Sequence, residues 1–223
     1  MNGKNILHFL SELKDNNNRI WFAENKDKYK SALVEFEQLV SALIIGISEF
    51  DESIRGIQAK DCIFRIYRDV RFSHNKSPYK NHFGAYISAG GGRKSERAGY
   101  YIHIELGACM LSGGLYCPTP QVLKAVRQSV YDTIDDFKAI VEDKTFVRYF
   151  VDVEEKLKTV PRGFPKNFPD ADYLKNKHYA FTHLVNDEFF QHNDCMEKSM
   201  KVFTMMHPIN DFLNYTVDEI LNT

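Results

Sequence analysis

The sequence lacks the marks of several common classes of protein. Its four cysteines form no CxxC pair, so they indicate neither a disulfide framework nor a cysteine zinc site. The longest apolar run, ALIIGI at residues 42–47, is far too short to span a bilayer, and no secretory leader opens the chain. We therefore expect a cytoplasmic protein that makes no membrane contact.

The sequence also lacks the short motifs of well-known enzymes. It has no GxSxG turn, no Walker loop ending in GK[ST], no dinucleotide fingerprint and no HExxH pair. The formal net charge of −1 gives no overall attraction to nucleic acid. Any contact with an anion or a nucleic acid must therefore depend on a local basic patch.

What the chain does have is ample material for a core. It is 43% hydrophobic and contains 17 Phe and 12 Tyr, a composition that argues against disorder. Apolar residues at helical spacing predict helices over residues 4–14 and about 27–50, and Thr119–Pro120 predicts a helix start. Glycine-punctuated runs before residue 117 are rich in aromatic and β-branched residues, which is typical of hairpins.

These patterns predict an α+β fold with N-terminal helices, a central antiparallel, meander-like sheet and C-terminal helices. We expect a single domain over residues 1–223, with a helical segment at about 1–52, the sheet at about 60–117 and a helical remainder. Within that remainder, HYAFTHLV at residues 178–185 is a strand candidate. The last helix is predicted at about 194–206, followed by a separate short segment at 209–221.

The most unusual stretch is CIFRIYRDVRFSHNKSPYKNHFG, residues 62–84. Six Lys or Arg against two acids between residues 60 and 82 give a local net charge of +4. As a strand, residues 62–72 would place Arg65 and Arg71 on one face and Arg68 among apolar side chains on the other. As a helix, the same segment would fan all three arginines over one side. The aromatic content and the absence of Ala and Leu favour the strand.

Three explanations of this basic stretch remain open. Guanidinium groups pair with phosphate, but they pair equally well with carboxylates such as Asp69, so a structural ion-pair network competes with an anion site. A basic, aromatic surface is also typical of nucleic-acid or protein contacts. We favour the anion site, because one carboxylate cannot neutralise five cations. The predicted ligand-binding residues are Arg65, Arg68, Arg71, Lys76, Tyr79, Lys80 and Tyr101.

A second candidate lies in GYYIHIE, residues 99–105. In a strand, Tyr101, His103 and Glu105 share one face, and apolar side chains share the other. His103 and Glu105 are the predicted catalytic pair for acid/base chemistry. They could instead be two metal ligands, or a histidine satisfied by its neighbour. Because no third ligand is apparent at metal-site spacing, the sequence predicts no metal and no cofactor.

Several segments together resemble a known family. FRIYRDVRF and KSPYK, then GYYIHIE, and then GGLYCPTPQVLKAVR follow one another in the order found in a bacterial family of conserved hypothetical proteins, domain-of-unknown-function family 2461. The resemblance includes NNNRIWFAENKDKY near the start and extends over most of the chain. It implies a bacterial protein of unassigned function, and it supplies no catalytic residue.

The functional hypothesis therefore comes from the residues alone. We expect a cationic pocket for a small phosphate- or carboxylate-bearing ligand, with hydrolysis or group transfer as the reaction if the protein is an enzyme. The alternative is a non-catalytic nucleic-acid- or protein-binding module that uses the same surface. The sequence leaves the oligomeric state open.

Overall fold

The computed structural model describes residues 3–153 and 155–221. Within them the chain forms an α+β fold with helices at both ends and an antiparallel sheet between them, as predicted. The helices are α1 Lys4–Asp15, α2 Arg19–Glu24, α3 Lys26–Ile47, α4 Ala59–Cys62, α5 Pro120–Asp132, α6 Ile134–Val141, α7 Lys144–Tyr149, α8 Ala171–Leu174 and α9 Cys195–Leu221. The strands are β1 His82–Ile87, β2 Gly99–Glu105, β3 Met110–Leu115, β4 Val151–Asp152 and β5 Tyr179–Leu184.

The sheet has the strand order β1-β2-β3-β5-β4 and is antiparallel throughout. Its first three strands form the predicted meander. The sheet differs from the predicted window of about 60–117, because it begins only at His82 and recruits β4 and β5 from the second half of the chain. The strand predicted at residues 178–185 is thus confirmed, and it lies beside β3 in the sheet.

One face of the sheet is covered by helices and forms the core. Tyr100, Ile102 and Ile104 of β2 are fully buried on this face, as their alternation predicts. Helix α9 packs along β3, and it approaches so closely that a β-carbon on Gly113 would lie 2.0 Å from Met206 Sδ. A side chain at position 113 would therefore force Met206 or the helix to shift.

The C-terminal helix is longer than predicted. We expected it to end near residue 206, but α9 continues to Leu221 through Pro208, a residue that removes a backbone hydrogen bond. The reason is tertiary. Asn210 and Asn214 are buried and hydrogen-bond the backbone of Gly99, Gly114 and Ala98 at 2.8–3.1 Å, which ties the second half of the helix to the sheet.

The strand predicted at residues 62–72 is wrong, and so is the helical alternative. Cys62 ends α4, and the segment then forms only two isolated bridges, Ile63 to Ala85 and Tyr67 to Tyr79. The backbone then bends back on itself. The Lys80 N–H donates a hydrogen bond to the Ile66 carbonyl at 2.8 Å, which closes the bend. The residues within the bend therefore lie outside the sheet. Phe72, which a strand would place on the apolar face with Arg68, is 93% exposed.

No helix in the two described ranges combines the length and apolarity needed to cross a bilayer.

Candidate functional site

The second face of the sheet is not occupied by the helical core, and we call it the open face. The antiparallel register places side chains from four strands on it. They are His82, Gly84 and Tyr86 of β1, Tyr101, His103 and Glu105 of β2, Met110, Ser112 and Gly114 of β3, and Ala180, Thr182 and Leu184 of β5.

A cavity of about 640 Å³ lies on the open face, a size typical of small-molecule sites. Its floor is the sheet, and its walls come from the segment before β1, the β1–β2 turn, the β3–α5 connection and the end of β4. Side chains that contribute charge or polarity are Lys80, His82, Tyr86, Arg93, Ser95, Glu96, Arg97, Tyr101, His103, Ser112, Tyr116, Thr119 and Thr182.

A hydrogen-bonded chain runs along β2 at this site. Tyr101 Oη lies 2.8 Å from His103 Nδ1, and His103 Nε2 lies 2.9 Å from Glu105 Oε2. The pKa of Tyr101 is raised mainly by burial and further by the Glu105 carboxylate, so Tyr101 is a neutral phenol. Each nitrogen of the His103 ring therefore has a polar partner.

His82 completes the group from the neighbouring strand. Its Cα pairs directly with that of Glu105, and its ring centroid lies 4.3 Å from that of His103. Burial, with the nearby His103 and Lys80, lowers the pKa of His82 to about 4. His82 is consequently a neutral imidazole at physiological pH.

Two cations of the cavity have no carboxylate partner within the described ranges. Lys80 Nζ lies 5.3 Å from the centroid of the Phe64 ring, and burial, followed by repulsion from Arg65, lowers its pKa. Arg93 donates from Nη1 to the backbone carbonyls of Lys60 and Asp61, both at 2.8 Å. Arg97 differs, because its Nη1 pairs with Asp218 of α9.

The structure brings together only part of the predicted site. Tyr101, His103 and Lys80 line the cavity, and Glu105 bonds to His103 at its edge. The other predicted residues, Arg65, Arg68, Arg71, Lys76 and Tyr79, do not line it. Their role in ligand binding stays a prediction.

The remaining basic residues of the stretch have protein partners of their own. Arg71 pairs with Asp69 at 2.7 Å in an exposed ion pair, and Lys76 Nζ donates to the Val70 carbonyl at 3.0 Å. Arg68 Nη1 donates to the Ser77 carbonyl at 3.0 Å. Of these three residues, Arg71 alone pairs with a carboxylate among the described residues, and the ion-pair network stays a hypothesis.

Arg65 and Tyr79 have different surroundings. Arg65 is exposed and near enough to Lys80 to lower its pKa. Tyr79 is buried, and its ring stacks on Phe22 with the centroids 3.9 Å apart, so its side chain belongs to the aromatic core between α2 and the basic stretch.

Sequence reasoning missed His82, Arg93 and Arg97. His82 has no metal-type spacing to another histidine, and only the β1–β2 register shows that it faces Glu105. A usable signal existed for the two arginines, because the turn AGGGRKSERAG at residues 89–99 is cationic and joins the two strands of the site.

Comparison with known proteins gives a family and no function. No curated protein and no solved structure matches the chain. The family model DUF2461, described as a conserved hypothetical protein, matches residues 5–212, which include every side chain of the open face. The chain therefore belongs to the DUF2461 family of conserved hypothetical proteins.

Proposed function

We propose that the cavity on the open face binds a small molecule that carries a phosphate or a carboxylate group. The observation that carries this proposal is the presence of Lys80 and Arg93 in one cavity without a carboxylate partner for either among the described residues. Cations held in a partly desolvated cavity are stabilised by a bound anion more than by water.

Lys80 contributes the more buried charge. Burial and Arg65 both disfavour its ammonium form and lower its pKa, so an anion beside Lys80 would relieve a cost that the protein already bears. Arg93 is held at the cavity by two carbonyls that use only Nη1. Its Nε and Nη2 have no hydrogen-bond partner in the described part of the chain, and their planar geometry suits phosphate or carboxylate.

The cavity also fits the remainder of such a ligand. Phe64, Met110, Leu115 and Val153 supply apolar surface beside the cations. Tyr86 and Tyr101 stand on the floor, with Ser112 and Thr182 hydrogen-bonded to each other at 2.8 Å. A ligand with one anionic end and an apolar body matches this division of the walls.

If the protein is an enzyme, we propose hydrolysis or transfer at a phosphoryl or acyl centre as its reaction. His103 would exchange the proton, Glu105 would orient the imidazole, and Lys80 would stabilise developing negative charge. The distances of 2.8 and 2.9 Å on the two sides of His103 support this assignment.

A second candidate function uses the exposed part of the basic stretch. Phe72 is 93% exposed, Tyr67 is 49% exposed, and the Arg71 guanidinium lies 5.7 Å from the centroid of the Phe72 ring. Exposed aromatics interleaved with cations favour single-stranded nucleic acid or a protein partner. Binding that falls steeply with added salt and is lost in Phe72→Ala would support this alternative.

We also propose a bacterial source and a cytoplasmic location. The bacterial source is supported by the order of the motifs, which resembles that of the bacterial family. The cytoplasmic location is supported by the thiols of Cys62, Cys109 and Cys117, none of them in a disulfide, as expected in a reducing compartment.

The anion proposal is tested by thermal denaturation with a panel of phosphate esters, nucleotides and carboxylates. A ligand that binds only the folded protein stabilises it by about 2.7 kcal/mol at a hundredfold excess over its Kd. We expect at least one anion with an apolar body to raise the Tm, and uncharged analogues to leave it unchanged. A Tm that no member of the panel moves contradicts the proposal.

A further inference from the structure

We propose that His82, His103 and Glu105 form a binding site for a divalent first-row transition metal. The three side chains come from two neighbouring strands and lie on the open face, where His82 and His103 line the cavity. Each offers one ligand atom, and these atoms all lie within 4.8 Å of one another. No other group of this kind occurs in the described ranges.

The interatomic distances place a common point between the three groups. Glu105 Oε2 is 2.9 Å from His103 Nε2 and 3.8 Å from His82 Nδ1. Metal–nitrogen and metal–oxygen bonds of about 2.0–2.2 Å require donor atoms roughly 3 Å apart, so small rotations of the side chains suffice to close the site. A simple ion pair explains the position of Glu105 beside His103, but it leaves the His82 ring without a hydrogen bond of normal length to any described residue.

The backbone fixes this arrangement. His82 and Glu105 are direct cross-strand partners, and His103 lies two residues before Glu105 on the same face. A site on paired strands is held more rigidly than a site on loops. His103 is 10% exposed, whereas His82 and Glu105 are 27% and 33% exposed, so an ion can enter from the solvent side.

Tyr101 is a positioning residue for this site. Its hydroxyl lies 2.8 Å from His103 Nδ1, the nitrogen that faces away from Glu105. When Nδ1 carries the proton and donates a hydrogen bond to Tyr101 Oη, the lone pair of Nε2 points toward Glu105 and His82. Such a partner on the distal nitrogen is the usual way in which proteins orient a metal-bound histidine.

The donor set selects the class of metal. Two imidazoles and one carboxylate suit Zn²⁺, Fe²⁺, Co²⁺ or Mn²⁺, whereas Mg²⁺ and Ca²⁺ prefer sites made wholly of oxygen. Three protein ligands leave at least one coordination position free, and the cavity lies beside His82 and His103. The open position and Lys80 would both attract an anion, and this last point alone rests on the proposed function. A metal held by His103 and Glu105 would replace the acid/base roles proposed for these two side chains above.

The experiment uses the full chain, stripped with EDTA and dialysed separately against Zn²⁺, Co²⁺, Fe²⁺ and Mn²⁺, with no other ligand present. We expect one equivalent of metal by elemental analysis, a visible Co²⁺ spectrum and a raised Tm. His82→Ala, His103→Ala and Glu105→Gln should each abolish the one-to-one binding, and Tyr101→Phe should weaken it by about 10- to 100-fold. His74→Ala, an exposed histidine of the same basic stretch, is the matched control and should bind like the wild type.

Two results would overturn the inference. The first is that the wild type binds none of Zn²⁺, Co²⁺, Fe²⁺ and Mn²⁺ more tightly than a variant in which His82, His103 and Glu105 are all substituted. The other is binding that survives in each single variant, which would place the metal elsewhere. Glu105→Gln preserves size and shape, and melting curves recorded without metal show whether each variant is folded. Anion binding is measured separately on stripped protein, so the two proposals can fail independently.

Discussion

Gly84 lies beneath the ring of Tyr101 in the neighbouring strand. A β-carbon on Gly84 would come within 2.7 Å of Tyr101 Oη, the atom that contacts His103 Nδ1 at 2.8 Å. Gly84 is also the direct cross-strand partner of His103. The missing side chain on β1 thus provides the space in which the phenol reaches the histidine.

The first prediction follows from this contact. Gly84→Ala should displace the Tyr101 ring and destabilise the protein by about 1–3 kcal/mol, the usual cost of inserting a methyl group into a packed site. Urea melts measure this change in the free energy of unfolding. In a Tyr101→Ala background the same substitution should cost much less, because the atom it meets is gone. An equal cost in both backgrounds would show that the contact does not matter.

The second prediction compares two arginines of the basic stretch. From the sequence, Arg68 needs a buried partner, and the structure shows that this partner is the Ser77 carbonyl and not a carboxylate. Arg68→Ala should therefore cost about 1–3 kcal/mol, which is less than the loss of a buried ion pair. Arg71→Ala removes an exposed pair with Asp69 and should leave the urea midpoint unchanged. A larger loss of unfolding free energy for Arg71→Ala than for Arg68→Ala would contradict this interpretation.

The third prediction concerns the covered face of the sheet. Tyr100 is fully buried, and its hydroxyl donates to Asp51 Oδ2 at 3.0 Å. Tyr100→Phe leaves that carboxylate short of a partner and should cost about 1–3 kcal/mol in urea melts. Tyr215→Phe, at a tyrosine that is 72% exposed, is the control and should cost nothing measurable. Identical melts for the two variants would contradict the assigned hydrogen bond.

The fourth prediction is a pH dependence away from the open face. Hydrogen bonds from Lys177 and His178 lower the pKa of Glu155 to about 2. A carboxyl group with a lowered folded-state pKa stabilises the protein above its unfolded pKa of 4.5, and this contribution is lost as the pH falls toward 2. Glu155→Gln should therefore flatten the stability profile between these two values. Stability profiles that run parallel with pH for the wild type and Glu155→Gln would contradict a lowered pKa of Glu155.

Much of the fold could be predicted because it depends on local patterns. The alternation in GYYIHIE correctly assigns Tyr101, His103 and Glu105 to one face, and the Thr119–Pro120 pair correctly marks the start of α5. The continuation of α9 through Pro208 could not be predicted, because it depends on contacts of Asn210 and Asn214 with distant strands. Local propensity gives no information about such tertiary stabilisation.

The candidate site divides in the same way. His103 and Glu105 are two residues apart in one strand, so a period of two is enough to pair them. His82 joins them only through the β1–β2 register, which depends on the length and conformation of the turn between the two strands. The basic stretch misled for the opposite reason. Residues 64–72 alternate apolar and polar side chains except at Arg68, but the backbone bends back before a strand can form.

The most direct test of the account is an isothermal titration that compares two lysines of the basic stretch. The titrant is the anion that most raises the Tm, and the proteins are wild type, Lys80→Gln and Lys76→Gln. Lys80 lines the cavity, whereas Lys76 donates to the Val70 carbonyl outside it. We predict that Lys80→Gln weakens binding about tenfold or more, as expected for a lost charge-assisted hydrogen bond, and that Lys76→Gln binds like the wild type. Equal losses in both variants, or a loss only in Lys76→Gln, would contradict an anion site on the open face.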